Sequence, residues 1–233
     1  MRPQLVILFD FGGTLDADGS RWSIRFHDAY RQAGGRLSFD RFEPLFRESD
    51  RRLAQTPGIR TMGFRATLDE QGVLLSTLMA GVGETVEPAA LAGPVHAAVL
   101  PIAARNRKLL SRLAPEHRLG VVSNFCGNLD VCLADLGFLA LFDTVIDSAV
   151  VGISKPDPRI FQLALAHLSA DPTVTWMVGD NPAADLLPAA ALGLKTCWLA
   201  PPGERHPFPP SVPSARIAAL TDLPGIVAVP CTV

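Results

Sequence analysis

Five short apolar runs, each followed by polar residues and spaced by amphipathic stretches, restrict what this chain can fold into more than any other feature. Leu5–Phe9, Leu119–Ser123, Thr144–Asp147, Val174–Gly179 and Thr196–Leu199 have the length and the β-branched residues of buried strands. Between the later runs lie Ile102–Leu113, Leu129–Leu136, Pro158–Leu168 and Pro182–Ala191, apolar at helical spacing. Asn128, Asp157 and Asn181 precede the last three as residues suited to a helix start. Strand–helix alternation predicts right-handed crossovers and a parallel sheet covered on both faces, an α/β Rossmann-like core. In such sheets ligands collect beyond the carboxyl ends of the strands.

From about residue 20 to 95 the alternation stops. Trp22–Gln32, Ser38–Ala54 with Ser38 as N-cap, Phe64–Ala80 and Pro88–Val99 read as successive helices without a strand among them. Inserted after the first strand, they form a lid above the strand ends. The expected division is a core of residues 1–19 and 96–233 and a helical cap of residues 20–95. The stretch 201–213, PPGERHPFPPSVP, is a proline-rich loop, and Arg216 to Val229 adds an edge strand and a helix.

Composition narrows the function classes. A net charge of −2 provides no broad basic surface for nucleic acid or an anionic membrane. No run approaches the roughly 18 apolar residues of a membrane span, and Leu5–Phe9 is too short for a signal-peptide core. Cys126, Cys132, Cys197 and Cys231 form no C-x-x-C pair and have no histidine at zinc spacing, which predicts reduced thiols in a cytoplasmic protein.

The strand ends carry the chemistry. The first run ends in Asp10, the second in Ser123-Asn124, and the fourth in Gly179-Asp180 with Asp185 following; Lys155 stands just after the third. An acid directly after Leu-Val-Ile-Leu-Phe, at a buried strand end, is costly unless used. Ser123 alone reads equally as a strand-end cap, and Lys155 alone as a surface charge. Together DFGGT (10–14), SN (123–124), K (155) and GDNPAAD (179–185) resemble, in order and position, the four motifs of the haloacid dehalogenase superfamily. The resemblance spans residues 5 to 200, and the helical insert falls where a cap of that superfamily is expected.

The resemblance implies a Mg²⁺-dependent phosphatase acting on a small phosphorylated metabolite. Asp10 is then the nucleophile forming an aspartyl-phosphate, while Ser123, Asn124 and Lys155 hold the substrate, Ser123 and Lys155 through the transferring phosphoryl oxygens. Asp10, Asp180, the Gly12 carbonyl and Asp185 hold Mg²⁺, although Asp185 reads equally as the residue that orients Lys155 or a metal-bound water. Thr14 braces the loop.

One position departs from the pattern. Where phosphatases of the superfamily carry a second aspartate as general acid and base, this chain has Gly12. Dehalogenases place a tyrosine there and lack the acidic motif, which here is intact. Phosphonate hydrolases use a cap lysine, and this chain has no lysine before Lys108. A substitute acid, with Asp16, Asp18 and His27 as candidates, a substrate that needs none, or the absence of turnover all remain open. The expectation is therefore a phosphatase. The alternatives are an impaired relative binding phosphate or a partner protein, and a phosphoryl transferase. Eight cap arginines, Arg21, Arg25, Arg31, Arg47, Arg51, Arg52, Arg60 and Arg65, include candidates for pairing with an anionic substrate.

Overall fold

The computed structural model describes residues 4–205 and 212–227. A six-stranded sheet runs in the order β3-β2-β1-β4-β5-β6, with every neighbouring pair parallel. Its strands are β1 (Val6–Phe9), β2 (Arg118–Ser123), β3 (Thr144–Asp147), β4 (Thr175–Gly179), β5 (Lys195–Leu199) and β6 (Ala215–Ile217). The central strand β1 alternates between the two faces. Ile7 and Phe9 enter one apolar core with Leu119, Val121, Leu110 and Leu133, whereas Val6 and Leu8 enter another with Ile160, Phe161 and Leu165. Burial on both faces is what makes these strands continuous apolar runs.

Between β1 and β2 lie α1 (Trp22–Gln32), α2 (Phe39–Leu53), α3 (Phe64–Ala80) and α4 (Pro88–Leu113). After β2 follow α5 (Leu129–Asp135), α6 (Ser148–Val151), α7 (Arg159–His167), α8 (Leu187–Ala191) and α9 (Leu223–Val227). Ser38 occupies the N-cap of α2 without a side-chain capping bond. Asn181 does cap, accepting from the N–H groups of Ala183 and Ala184, and opens a π-helical turn, Pro182–Leu186, ahead of α8. Asn128 precedes α5 but spends its amide on Met62 O and Thr67 Oγ1. That bond and the one from Phe64 N to Asp135 Oδ2 tie α3 to the sheet's own helices.

The largest departure from the sequence reading is α4. Pro88–Val99 and Ile102–Leu113, expected as two separate helices, form one helix of 26 residues. Pro94 and Pro101 are both exposed and stand two turns apart on one face. Their rings lie on the exposed side of the helix rather than on its packed face, and the helix continues through both. Position 95/96, read as the return to the core, falls inside it. The proline-rich loop lies partly, and Cys231 and the end of the last unit wholly, outside the described residues.

Candidate active site

Parallel strands deliver β1, β2 and β4 to one edge, so Asp10, Ser123 and Asp180 emerge side by side. Ser123 Oγ donates to Asp10 Oδ1 at 2.9 Å, and Lys155 Nζ donates to the same oxygen at 2.6 Å. No hydrogen bond engages Asp10 Oδ2 among the described residues, which leaves that oxygen to the cleft. Lys155 Nζ also donates to Asp185 Oδ1 at 2.6 Å, and Asp185 Oδ2 accepts from Asn181 N at 3.1 Å. Burial alone would lower the Lys155 ammonium, but the charges of Asp10 and Asp185 reverse this and hold it above the usual lysine range.

Asn124 clamps the backbone of Lys155 from both sides: its Nδ2 donates to Lys155 O at 2.9 Å and its Oδ1 accepts from Lys155 N at 2.8 Å. Thr14 Oγ1 reaches Asp180 Oδ1 at 3.3 Å. The other oxygen, Asp180 Oδ2, is buried with no hydrogen-bond partner. Burial, then the charges of Asp10 and Asp185, push the Asp180 carboxyl well above its ordinary value. Two glycines permit the crowding. Gly13 has φ +96°, and a Cβ there would stand 2.6 Å from Asp180 Oδ2; a Cβ at Gly179 would overlap the Asp185 carboxylate.

Asp10, Asp180 and Asp185 present carboxylate oxygens within 4.8 Å of one another. Three buried carboxylates around one ammonium leave net negative charge, and one orphaned oxygen among them lacks a partner. A hard divalent cation with oxygen ligands fits that deficit.

The substitute acids named from the sequence are engaged elsewhere. Asp16 accepts from Gly13 N at 2.7 Å, Trp22 Nε1 at 2.7 Å and Arg25 Nη1 at 2.9 Å. Asp18 pairs with Arg105 at 2.6 Å. His27 Nε2 meets Leu37 O at 3.0 Å among the rings of Tyr30, Phe39 and Phe42. Asp16 is thus the pin of the loop after β1. Asp16→Ala is expected to lower the unfolding free energy by about 3 kcal/mol, because it strands a buried N–H, an indole and a guanidinium; urea denaturation measures it.

Above the carboxylates opens a cleft of about 690 Å³, walled on one side by the strand ends and on the other by α2 and the start of α1. Trp22 covers Gly12: a Cβ at residue 12 would lie 3.4 Å from the indole nitrogen, an ordinary contact. Of the cap arginines, Arg21, Arg47 and Arg51 line the cleft, while Arg25 and Arg65 are held by Asp16 and Asp69. Asp50 also lines it, and the sequence reading missed it. The available clue was spacing, since Asp50 falls on the same stripe of α2 as the apolar Phe46 and Leu53.

Residues 5–193 match the family described as haloacid dehalogenase-like hydrolase. Haloacid dehalogenase-like hydrolase domain-containing protein 3 of Homo sapiens is 40% identical over 101 residues, 43% of this chain and 40% of that protein. Phosphoserine phosphatase of Thermus thermophilus is 36% identical over 91 residues, 39% of this chain and 36% of that protein. The match therefore spans well under half the length of these curated relatives. Among solved structures, the HAD-hydrolase YfnB of Bacillus subtilis, bound to magnesium, aligns with a TM-score of 0.59 at 19% identity, covering 97% of this chain and 99% of that one. A dehalogenase with an intermediate complex aligns with a TM-score of 0.68 at 18% identity, over 99% of this chain and 100% of that one. At such identities the likeness is one of fold.

Proposed function

The chain belongs to the haloacid dehalogenase-like hydrolase family, and from that premise we propose that it is a Mg²⁺-dependent phosphatase of a small phosphorylated metabolite, with α1–α3 and the first part of α4 as a cap over the site. The observation that carries this reading is the buried set of Asp10, Asp180 and Asp185 around Lys155, one of whose oxygens has no partner. The phosphatases among the relatives, of phosphoserine and of glyceraldehyde 3-phosphate, support the substrate class. Three described cysteines, Cys126, Cys132 and Cys197, are buried and unpaired, which suits the cytoplasm.

Asp10, Asp180, the Gly12 carbonyl and Asp185 would hold Mg²⁺, which when bound offsets the repulsion between a dianionic phosphate and the carboxylates. Ser123 and Lys155, both held on Asp10 Oδ1, turn toward the phosphoryl oxygens and aim the free Oδ2 at phosphorus. Attack forms an aspartyl-phosphate on Asp10, which water then hydrolyses. Asn124 keeps Lys155 in place through its backbone.

Two measurements test this. Phosphate release from acetyl, aryl and alkyl phosphates is expected to require Mg²⁺; no release from any of them leaves the reading of a non-catalytic phosphate binder. Independently of turnover, Mg²⁺ is expected to raise the unfolding temperature of the native chain and not of Asp180→Ala, because only the native acids supply the site. The shift is expected to shrink as pH falls, since the ligands bind metal deprotonated.

A further inference from the structure

Gly12 withholds a proton donor, and Asp16, Asp18 and His27 are each committed to other partners. In-line displacement determines where a replacement must stand. Asp10 attacks from the strand edge, so the leaving oxygen points away from it, into the cleft that α2 also lines. On that helix stands Asp50. It shares one face of α2 with Phe46, Leu53 and Ala54, all lining the cleft that holds Asp10 and Gly12. Neither a hydrogen bond nor an ion pair engages its carboxylate among the described residues, as its neighbours Arg47 and Arg51 turn to Glu43 and Glu48.

We propose that Asp50 is the general acid and base of the reaction, supplied from the cap in place of the group missing at residue 12. The assignment rests on the phosphatase reading. In the first step an Asp10 oxygen bonds to phosphorus, the bond from phosphorus to the leaving oxygen breaks, and that oxygen takes the proton of the Asp50 carboxyl. In the second, the Asp50 carboxylate removes a proton from water as the water oxygen bonds to phosphorus. Asp10 leaves as a carboxylate, phosphate departs, and Asp50 is protonated again.

The surroundings suit both roles. Asp50 is exposed in the cleft, while desolvation raises its carboxyl to about 6, where both forms are available near neutral pH. The titratable and charged groups that line the cleft with it are Arg47 and Arg51 from its own helix, Arg21 from the start of α1, and the neutral Cys126 thiol from the loop after β2. Lys155, Asp10, Asp180 and Asp185 line the same cleft at the strand ends.

The test compares native chain, Asp50→Asn and Asp50→Asn with Gly12→Asp, on an alkyl and an aryl phosphate with Mg²⁺ across pH. An aryl oxygen leaves without a proton and an alkyl oxygen does not, so the alkyl-to-aryl ratio of kcat/KM reports the acid. In the native chain this ratio is expected to fall as pH rises through about 6. Asp50→Asn is expected to lose ~10²–10⁴-fold in kcat/KM on the alkyl ester, to keep kcat/KM on the aryl ester while its kcat and KM fall together because the shared aspartyl-phosphate loses its base, and to lose the pH dependence of the ratio. Gly12→Asp is expected to restore alkyl turnover in that background. Apart from activity, carbon NMR of labelled aspartate should show the Asp50 carboxyl titrating near 6; titration in the ordinary carboxylate range overturns the assignment. Equal losses of kcat/KM on both esters, or a rise in KM alone, overturn it in favour of a substrate contact. Native turnover that Asp50→Asn leaves intact defeats the Asp50 assignment only, whereas native inactivity on every ester defeats the phosphatase reading as well.

Discussion

Replacing Asp10 by asparagine is expected to abolish phosphate release, by on the order of 10⁴-fold or more, while the protein stays folded. An amide cannot form the aspartyl-phosphate, so the two-step route closes at its first bond. The geometry around it survives, because asparagine keeps an oxygen at Oδ1 to accept from Ser123 and Lys155, now held at 2.9 and 2.6 Å. Removing one of three clustered negative charges also relieves Asp180, whose carboxyl is raised in part by Asp10. The unfolding temperature without Mg²⁺ is therefore expected to hold or rise as activity disappears. Steady-state phosphate release, acid-quench trapping of the phosphoprotein and a thermal melt read the three effects. Full Mg²⁺-dependent turnover by Asp10→Asn sinks the mechanism.

Lys155→Met is expected to damage both activity and fold. Phosphate release should fall by about 10²–10³, the effect of removing one preorganised donor to developing charge. Stability at neutral pH should fall by about 3–5 kcal/mol, because Lys155 is the cation in direct contact with Asp10 and Asp185, and all three side chains are buried. The pH dependence has a definite sign. Without the ammonium, which holds them down, the carboxyls of Asp180 and Asp185, already raised by burial, titrate still further above their unfolded values of about 4. Carboxyls raised in this way destabilise the fold when ionised, so the deficit is full at pH above their folded values. It shrinks as pH falls toward the unfolded values, where the acids are neutral in both states. Urea denaturation at mildly acidic and at neutral pH measures the difference. An equal deficit at both means that Lys155 matters through packing rather than charge.

Much of the fold was legible because its pattern is local. Apolar runs of strand length, spaced by amphipathic helices, require two covered faces, and Ile7 and Phe9 against Val6 and Leu8 show those faces on one strand. The cap helices Trp22–Gln32 and Phe64–Ala80 were readable to their end residues. The separate helices Pro88–Val99 and Ile102–Leu113 proved to be one that runs through Pro101, since a proline is judged by the face it occupies, and the face is known only after α4 has packed.

What the sequence determined by itself is which residues stand at the carboxyl edge: Asp10, Ser123, Lys155, Asp180 and Asp185 follow their strands at positions that a parallel sheet must align. What only the tertiary structure decided is how those groups, and the acids around them, are partnered. Asp16 resembled a spare acid until Trp22 and Arg25 closed on it, and Asn124 a substrate ligand until both its amide atoms met the backbone of Lys155. Asp50 was one surface carboxylate among several until the cleft formed around it. The reason is range. A strand's periodicity is written within a few neighbouring residues, whereas the bond from Lys155 to Asp10 spans 145 positions and exists only when the sheet has brought both ends together.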